Sequence, residues 1–201
     1  MSDLGRTAEA EPLEREVYEI SKRTLGAEHP DTLDSLGNWC SSLSDLGRTA
    51  EAEPLKRERY EISRRTLGAE HPSTLGALGN WCRSLSDLGR TAEAEPLERE
   101  VYEISKRTLG AEHPDTLDSL GNWCSSLSDL GRTAEAEPLE REMYEISRRT
   151  LGAEHPSTLR ALGNWCRSLS DLGRTAEAEP LTREVYEISK RTLGAEHPNT
   201  L

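Results

Sequence analysis

The chain contains no phenylalanine, and only 4 % of its 201 residues are aromatic and 34 % hydrophobic. That is too little apolar side chain for a deep globular core, but it suits a thin array whose layers each bury one stripe against their neighbours. No apolar run approaches the ~20 residues that cross a bilayer. Positive charge is also short, with 25 Lys and Arg against 37 Asp and Glu, a net charge of −12. This argues against nucleic-acid and anionic-membrane partners. The opening MSDLGRTAEAE has neither a basic segment nor an apolar stretch, so it does not read as a signal peptide. The four Cys are therefore expected as reduced thiols in a cytoplasm. There is no Gly-rich phosphate loop, no H-E-x-x-H and no evident nucleophile–base pair, so neither enzymatic activity nor a cofactor is expected.

Low hydrophobicity with high net charge can also mark disorder. Strict repetition argues otherwise. A unit beginning at Ser2 restarts at Ser44, Ser86, Ser128 and Ser170 without slipping. The reading is one repeat array, with copies at residues 2–43, 44–85, 86–127 and 128–169 and a partial copy at 170–201. Copies 1 and 3 are identical, and copies 1 and 2 differ at seven positions. Charge alternates with them: the copies carry −5, +1, −5, −1 and, for the partial copy, −2. Met1 joins the repeat with no preamble, which fits a piece excised from a longer array.

Each copy reads as two helices. In helix A, near residues 31–46, Leu33, Leu36, Trp39, Cys40, Leu43 and Leu46 share one arc. Asp31, Asp34, Asn38, Ser41 and Asp45 occupy the other. Ahead stands His29-Pro30. Either Pro30 takes the first helical position or Asp31, with its equivalents Ser73, Asp115, Ser157 and Asn199, is the cap. Helix B, near residues 7–25, carries the stripe Ala10, Leu13, Val17, Ile20 and Thr24, flanked by Tyr18 and Leu25. Its expected features are a Thr7 cap, a bend at Pro12, exposed pairs Glu11/Arg15 and Glu19/Arg23, and a left-handed stop at Gly26. Leu46-Gly47-Arg48 makes the tight connection from helix A to the next helix B.

These residues carry a family resemblance. Leu36-Gly37-Asn38-Trp39-Cys40, Gly47-Arg48-Thr49, Glu51-Ala52-Glu53-Pro54-Leu55, and Leu25-Gly26 with His29-Pro30-Asp31 resemble the 42-residue tetratricopeptide (TPR) repeats of kinesin light chains. The likeness recurs in every copy. Trp39, Cys40 and Thr49 depart from the family pattern, and the kinesin-specific coiled coil is absent. The resemblance implies an all-α, right-handed α-solenoid of antiparallel helix pairs that binds peptides or proteins. It does not imply kinesin cargo transport.

The resemblance also implies that helix A lines a concave groove. Asn38, Asn80, Asn122 and Asn164 then become candidate peptide contacts, because a carboxamide has donors and acceptors for an extended backbone. The alternative is that each Asn bridges to the neighbouring repeat. Four of the seven differences between copies 1 and 2 fall on or beside the polar arc, which adds Asp34, Asp118, Arg83, Arg160 and Arg167 as candidates. Arg83 and Arg167 could instead pair with Asp residues of adjacent helices, worth ~0–1 kcal/mol each. The Cys residues read as small buried filler and the His residues as turn or cap, with no metal site.

The expected function is a protein-interaction scaffold. The alternative is a self-associating array: helix B of copy 1 should expose Ala10, Leu13, Val17 and Ile20, and head-to-tail contact between terminal helices would imitate an internal junction.

Overall fold

The computed structural model describes residues 3–193, with side chains from 6 to 192. Among the described residues there are nine helices and no strand: α1 Asp3–Leu25, α2 Pro30–Asp45, α3 Thr49–Leu67, α4 Pro72–Asp87, α5 Thr91–Leu109, α6 Pro114–Asp129, α7 Thr133–Leu151, α8 Pro156–Asp171 and α9 Thr175–Leu193. Odd helices are type B and even helices type A. The His197-Pro198 turn and the Asn199 equivalent lie outside the described residues.

The two possible starts of helix A resolve in favour of proline. Pro30 is the first helical residue, and His29 is the cap: its Nδ1 accepts the Asp31 N–H at 3.2 Å. His71, His113 and His155 do the same for Ser73, Asp115 and Ser157. Histidine thus satisfies an amide that the helix leaves without a partner. At the other end, Arg48 N–H reaches Leu43 O at 2.8 Å and Gly47 N–H reaches Ser44 O at 2.9 Å. This double closure needs a left-handed residue, and Gly47 supplies it with φ +73°.

Three local expectations for helix B are corrected. Arg48, not Thr49, is the N-cap of α3, with no side-chain cap bond; Arg132 does the same for α7. The Arg48 guanidinium instead lies along the Glu51 carboxylate, at 2.7 and 2.8 Å. In copy 1, helix α1 begins earlier, at Asp3, where no preceding A helix among the described residues offers the carbonyls that close the Gly47 turn. The stop at Gly68 has φ 92° and ψ 161°, so its φ is positive as expected, but its ψ belongs to an extended region open to glycine alone. Each B helix continues through its proline.

The helices form two compact units, Met1–Ile104 and Ser105–Leu201. In the first, α1 packs on α2, α2 on α3 and α3 on α4. Leu36 and Cys40 of α2 meet Tyr18 of α1 and Leu55 of α3. Leu78, Cys82 and Leu85 of α4 meet Tyr60 of α3 and Ala94 and Leu97 of α5. In the second, α6, α7, α8 and α9 pack consecutively and bury Leu120, Leu127, Tyr144, Leu162 and Leu169. The tyrosine therefore belongs inside the stripe rather than beside it. It stacks on the tryptophan of the following A helix, with Tyr18 5.7 Å from Trp39 and Tyr144 5.8 Å from Trp165.

The leucine at the end of helix B, expected to flank the stripe, is exposed at Leu25 and Leu67. Ile62 is 8 % exposed, yet its equivalent Ile20 in α1 is 42 % exposed, beside Leu13 at 62 % and Val17 at 53 %. Inside the array the preceding A helix covers this face, as α2 covers Leu55. Leu78→Ala should therefore cost about 2–5 kcal/mol, and Ile20→Ala less than about 1 kcal/mol. Denaturant unfolding followed by far-UV circular dichroism checks this; equal losses would contradict the packing described.

Candidate functional site

A repeated polar junction fixes where the candidate groove residues stand. In α1, the largely buried Glu11 carboxylate accepts the Trp39 indole N–H on Oε1 at 2.8 Å and the Arg48 guanidinium on Oε2 at 3.1 Å. Glu53 takes Trp81 and Arg90 in the same way, at 2.8 and 3.5 Å. Glu137 takes Trp165 and Arg174, at 2.7 and 3.1 Å. One carboxylate thus ties a B helix, the next A helix and the turn that follows. Arg15, expected opposite Glu11, pairs forward with Glu19 at 2.9 Å because Glu11 is already engaged.

With tryptophan turned to the junction, asparagine is left on the opposite side of helix A. Asn38, Asn80 and Asn122 are exposed and Asn164 is half-exposed. None of the four side chains makes a hydrogen bond among the described residues. The neighbouring glycine keeps this wall low: a methyl group at Gly79 or Gly163 would meet nothing within 4 Å.

In the first unit, a cavity of about 300 Å³ gathers Asn80 and Arg83 of α4, Gly37 and Ser41 of α2, and Lys56 and Arg59 of α3. Asn38 and Asp34 stand on α2 outside its lining, and Asp34 lies 3.7 Å from Arg59. In the second unit, a cleft of about 750 Å³ gathers Arg160, Asn164 and Arg167 of α8 with Val185 and Thr192 of α9. Asn122 and Asp118 of α6 are not among its lining residues, although Asp118 lies 3.7 Å from Arg160. Arg83 and Arg167 make no ion pair or hydrogen bond among the described residues. Both volumes are in the range of ligand clefts.

Lys56 and Arg59 are site residues that the polar arc of helix A does not point to. The signal for Arg59 is a charge in an apolar column, Val17, Arg59, Val101, Met143 and Val185, and for Lys56 a reversed charge in the column Glu14, Lys56, Glu98, Glu140 and Thr182.

Other chemistry is weakly represented. All four cysteines are buried and free. Burial pushes their thiols up, Cys40 to about 11 and Cys82 and Cys124 to about 12, which suppresses the thiolate that would react. Among the described residues, no group of three or more His, Cys, Asp or Glu is placed to hold a metal ion. No described helix is long and apolar enough to cross a membrane.

A tetratricopeptide-repeat model matches residues 1–31, 32–73, 74–115, 116–157 and 158–199, and so nearly the whole chain. The chain belongs to the tetratricopeptide repeat family. Its TPR helices superpose on the nearly identical TPR-like repeats of a Podosopora anserina protein described as a putative kinesin light chain. The identity is 31 % and the TM-score 0.86, over 94 % of this chain and 89 % of that one. A glutamine-to-methionine variant of the same protein gives a TM-score of 0.87 at the same identity and coverage. BtubC (BKLC) from P. vanneervenii shares the fold, with a TM-score of 0.81 at 17 % identity over 96 % of this chain and 77 % of that one. No curated protein matches the sequence. The fold is thus that of the TPR α-solenoid, a family of scaffolds that mediate protein–protein interaction.

One buried carboxyl gives a pH-dependent test of the second unit. Burial raises Glu140 above the usual carboxylate range, with the Ser168 hydroxyl and Arg167 opposing the shift. Its Oε2 has no partner. Because the folded value lies above the unfolded one, ionised Glu140 costs stability at pH above the folded value. That cost fades as pH falls through the folded value and is gone below the unfolded one. Glu140→Gln should stabilise the protein at neutral pH by on the order of 1 kcal/mol, with no gain below the ordinary carboxylate range. Thermal melts across pH measure it; a gain independent of pH would reject the assignment.

Proposed function

We propose that the chain is an interaction scaffold whose polar A-helix wall holds an extended segment of a partner protein. The observation that carries this reading is the set of four asparagines, Asn38, Asn80, Asn122 and Asn164, with no hydrogen bond of their own among the described residues. An extended peptide presents alternating N–H and C=O groups, and a carboxamide can donate to one and accept from the other. The adjacent glycines add support. Glycine inside a helix costs roughly 0.5–1 kcal/mol relative to alanine, and at Gly79 and Gly163 no packing within the described residues needs the missing methyl. Close approach of a partner backbone is a use for that space. Asp34, Asp118, Arg83, Arg160 and Arg167 would then set which side chains are accepted.

A second reading, self-association, is favoured by the exposed Leu13, Val17 and Ile20 of α1. Its occupant is a second copy of the chain. It requires a mass that rises with protein concentration and falls on Leu13→Glu with Ile20→Glu.

The groove reading is tested by separating binding from stability. Asn80→Ala with Asn122→Ala should weaken capture of a partner isolated from the source cell by about tenfold or more. The melting temperature should stay nearly unchanged. Gly79→Ala with Gly163→Ala should raise stability by roughly 0.5–1 kcal/mol per site while also weakening capture. Asparagine variants that lose stability but keep the partner would show a structural role instead.

A further inference from the structure

Copy 2 carries Lys56 and Arg59 where the other copies carry Glu14 and Val17, Glu98 and Val101, Glu140 and Met143, and Thr182 and Val185. Both residues face one cavity of about 300 Å³ with Arg83 and Asn80. Lys56 is half-buried, and its Nζ donates to two hydroxyls, Ser44 Oγ at 2.9 Å and Ser84 Oγ at 2.7 Å. No carboxylate lies within ion-pair distance of it among the described residues. Arg59 lies across Gly37, which leaves room for its guanidinium. Its Nε donates to Leu33 O at 2.9 Å, and Asp34 is 3.7 Å from its Nη2. Arg83 has neither hydrogen bond nor ion pair among the described residues. Asp45 and Asp87 also line the cavity, so three cations face two carboxylates.

We propose that this cavity binds a phosphoryl group, either free phosphate or the phosphate of a phosphorylated serine or threonine on a bound segment. A half-buried cation whose direct hydrogen bonds go only to neutral hydroxyls loses hydration without gaining a charged partner, and an anion that enters supplies one. Lys56 is such a cation, and burial lowers its affinity for a proton. A phosphoryl dianion has three terminal acceptor oxygens, enough to engage Lys56, Arg59 and Arg83 together, whereas a carboxylate has two oxygens and one charge. Asp45 and Asp87 repel any anion that enters, so the ligand must engage all three cations together. Copy 4 supplies a built-in contrast: at the same positions it has Glu140 and Met143, beside Arg167.

The contrast provides a folded control. Lys56→Glu with Arg59→Met installs the residues of copy 4, which are accommodated behind an identical preceding copy. Titration calorimetry at constant ionic strength would compare four probes: inorganic phosphate, a phosphoserine tripeptide, its unphosphorylated form, and succinate. Wild type should bind phosphate or the phosphotripeptide, and the double variant should bind either at least about tenfold more weakly. Tighter binding of the phosphotripeptide than of phosphate identifies an esterified source; the reverse identifies the free anion. Equal binding by wild type and variant, no binding at millimolar probe, or succinate bound as tightly as phosphate would each overturn the proposal. The tripeptide arm rests on the groove reading above and the inorganic phosphate arm does not. An empty cavity in a protein whose asparagine variants still lose their partner would therefore reject the phosphoryl site alone.

Discussion

One carboxylate per junction holds the arrangement together. Glu11, Glu53 and Glu137 each receive an indole N–H and a guanidinium, one on each oxygen. Hydrogen bonds to charged groups are worth about 1.5–3 kcal/mol, and here each oxygen draws on a different structural element. The bonds fix the rotation of helix A about its own axis. Once Trp39 is turned to Glu11 and stacked on Tyr18, Leu36, Cys40 and Leu43 must face the core, and Asn38 must face away. The aromatic ring fills volume that a chain without phenylalanine would otherwise lack, and the carboxylate satisfies the one polar atom the ring would bury.

The same geometry explains how the copies can vary without losing the fold. The seven differences between copies 1 and 2 avoid Glu11, Trp39, Arg48, Leu36 and Leu43. They fall on the polar arc of helix A, at the buried Ser35/Ala77 position beside it, and at residues 14, 17 and 22 of helix B and their equivalents. Position 14 accepts Glu, Lys or Thr, and position 17 accepts Val, Arg or Met. The junction thus serves as a constant frame, and the variable side chains tune the charge of the wall it presents. Copy 2 is the extreme case, with Lys56, Arg59 and Arg83 lining one cavity.

The architecture was legible in the sequence because period and register are carried by many residues at once. Leu33, Leu36, Cys40 and Leu43 recur at helical spacing, and their burial follows directly. Side-chain bonding between elements was less legible. Glu11 and Arg15 stand four apart and suggest an exposed pair, yet Glu11 turns inward to Trp39, a partner 28 residues away. Periodicity does not encode such a choice. The histidines read as turn or cap, but which amide they cap was not legible, because Nδ1 acceptance depends on the extended backbone of His29. At the site, asparagine and arginine were legible from the polar arc of helix A, whereas Lys56 and Arg59 come from helix B and meet them only when the helices pack.

The central claim is that a shared carboxylate couples the indole to the preceding B helix. A double-mutant cycle on Glu53→Gln and Trp81→Phe, read as unfolding free energies, tests it most directly, because it isolates the pair from the packing lost in each single variant. The account predicts a coupling of about 1–3 kcal/mol, with Arg90 still folded toward Glu93. Additive losses, with no coupling between the two positions, would contradict it.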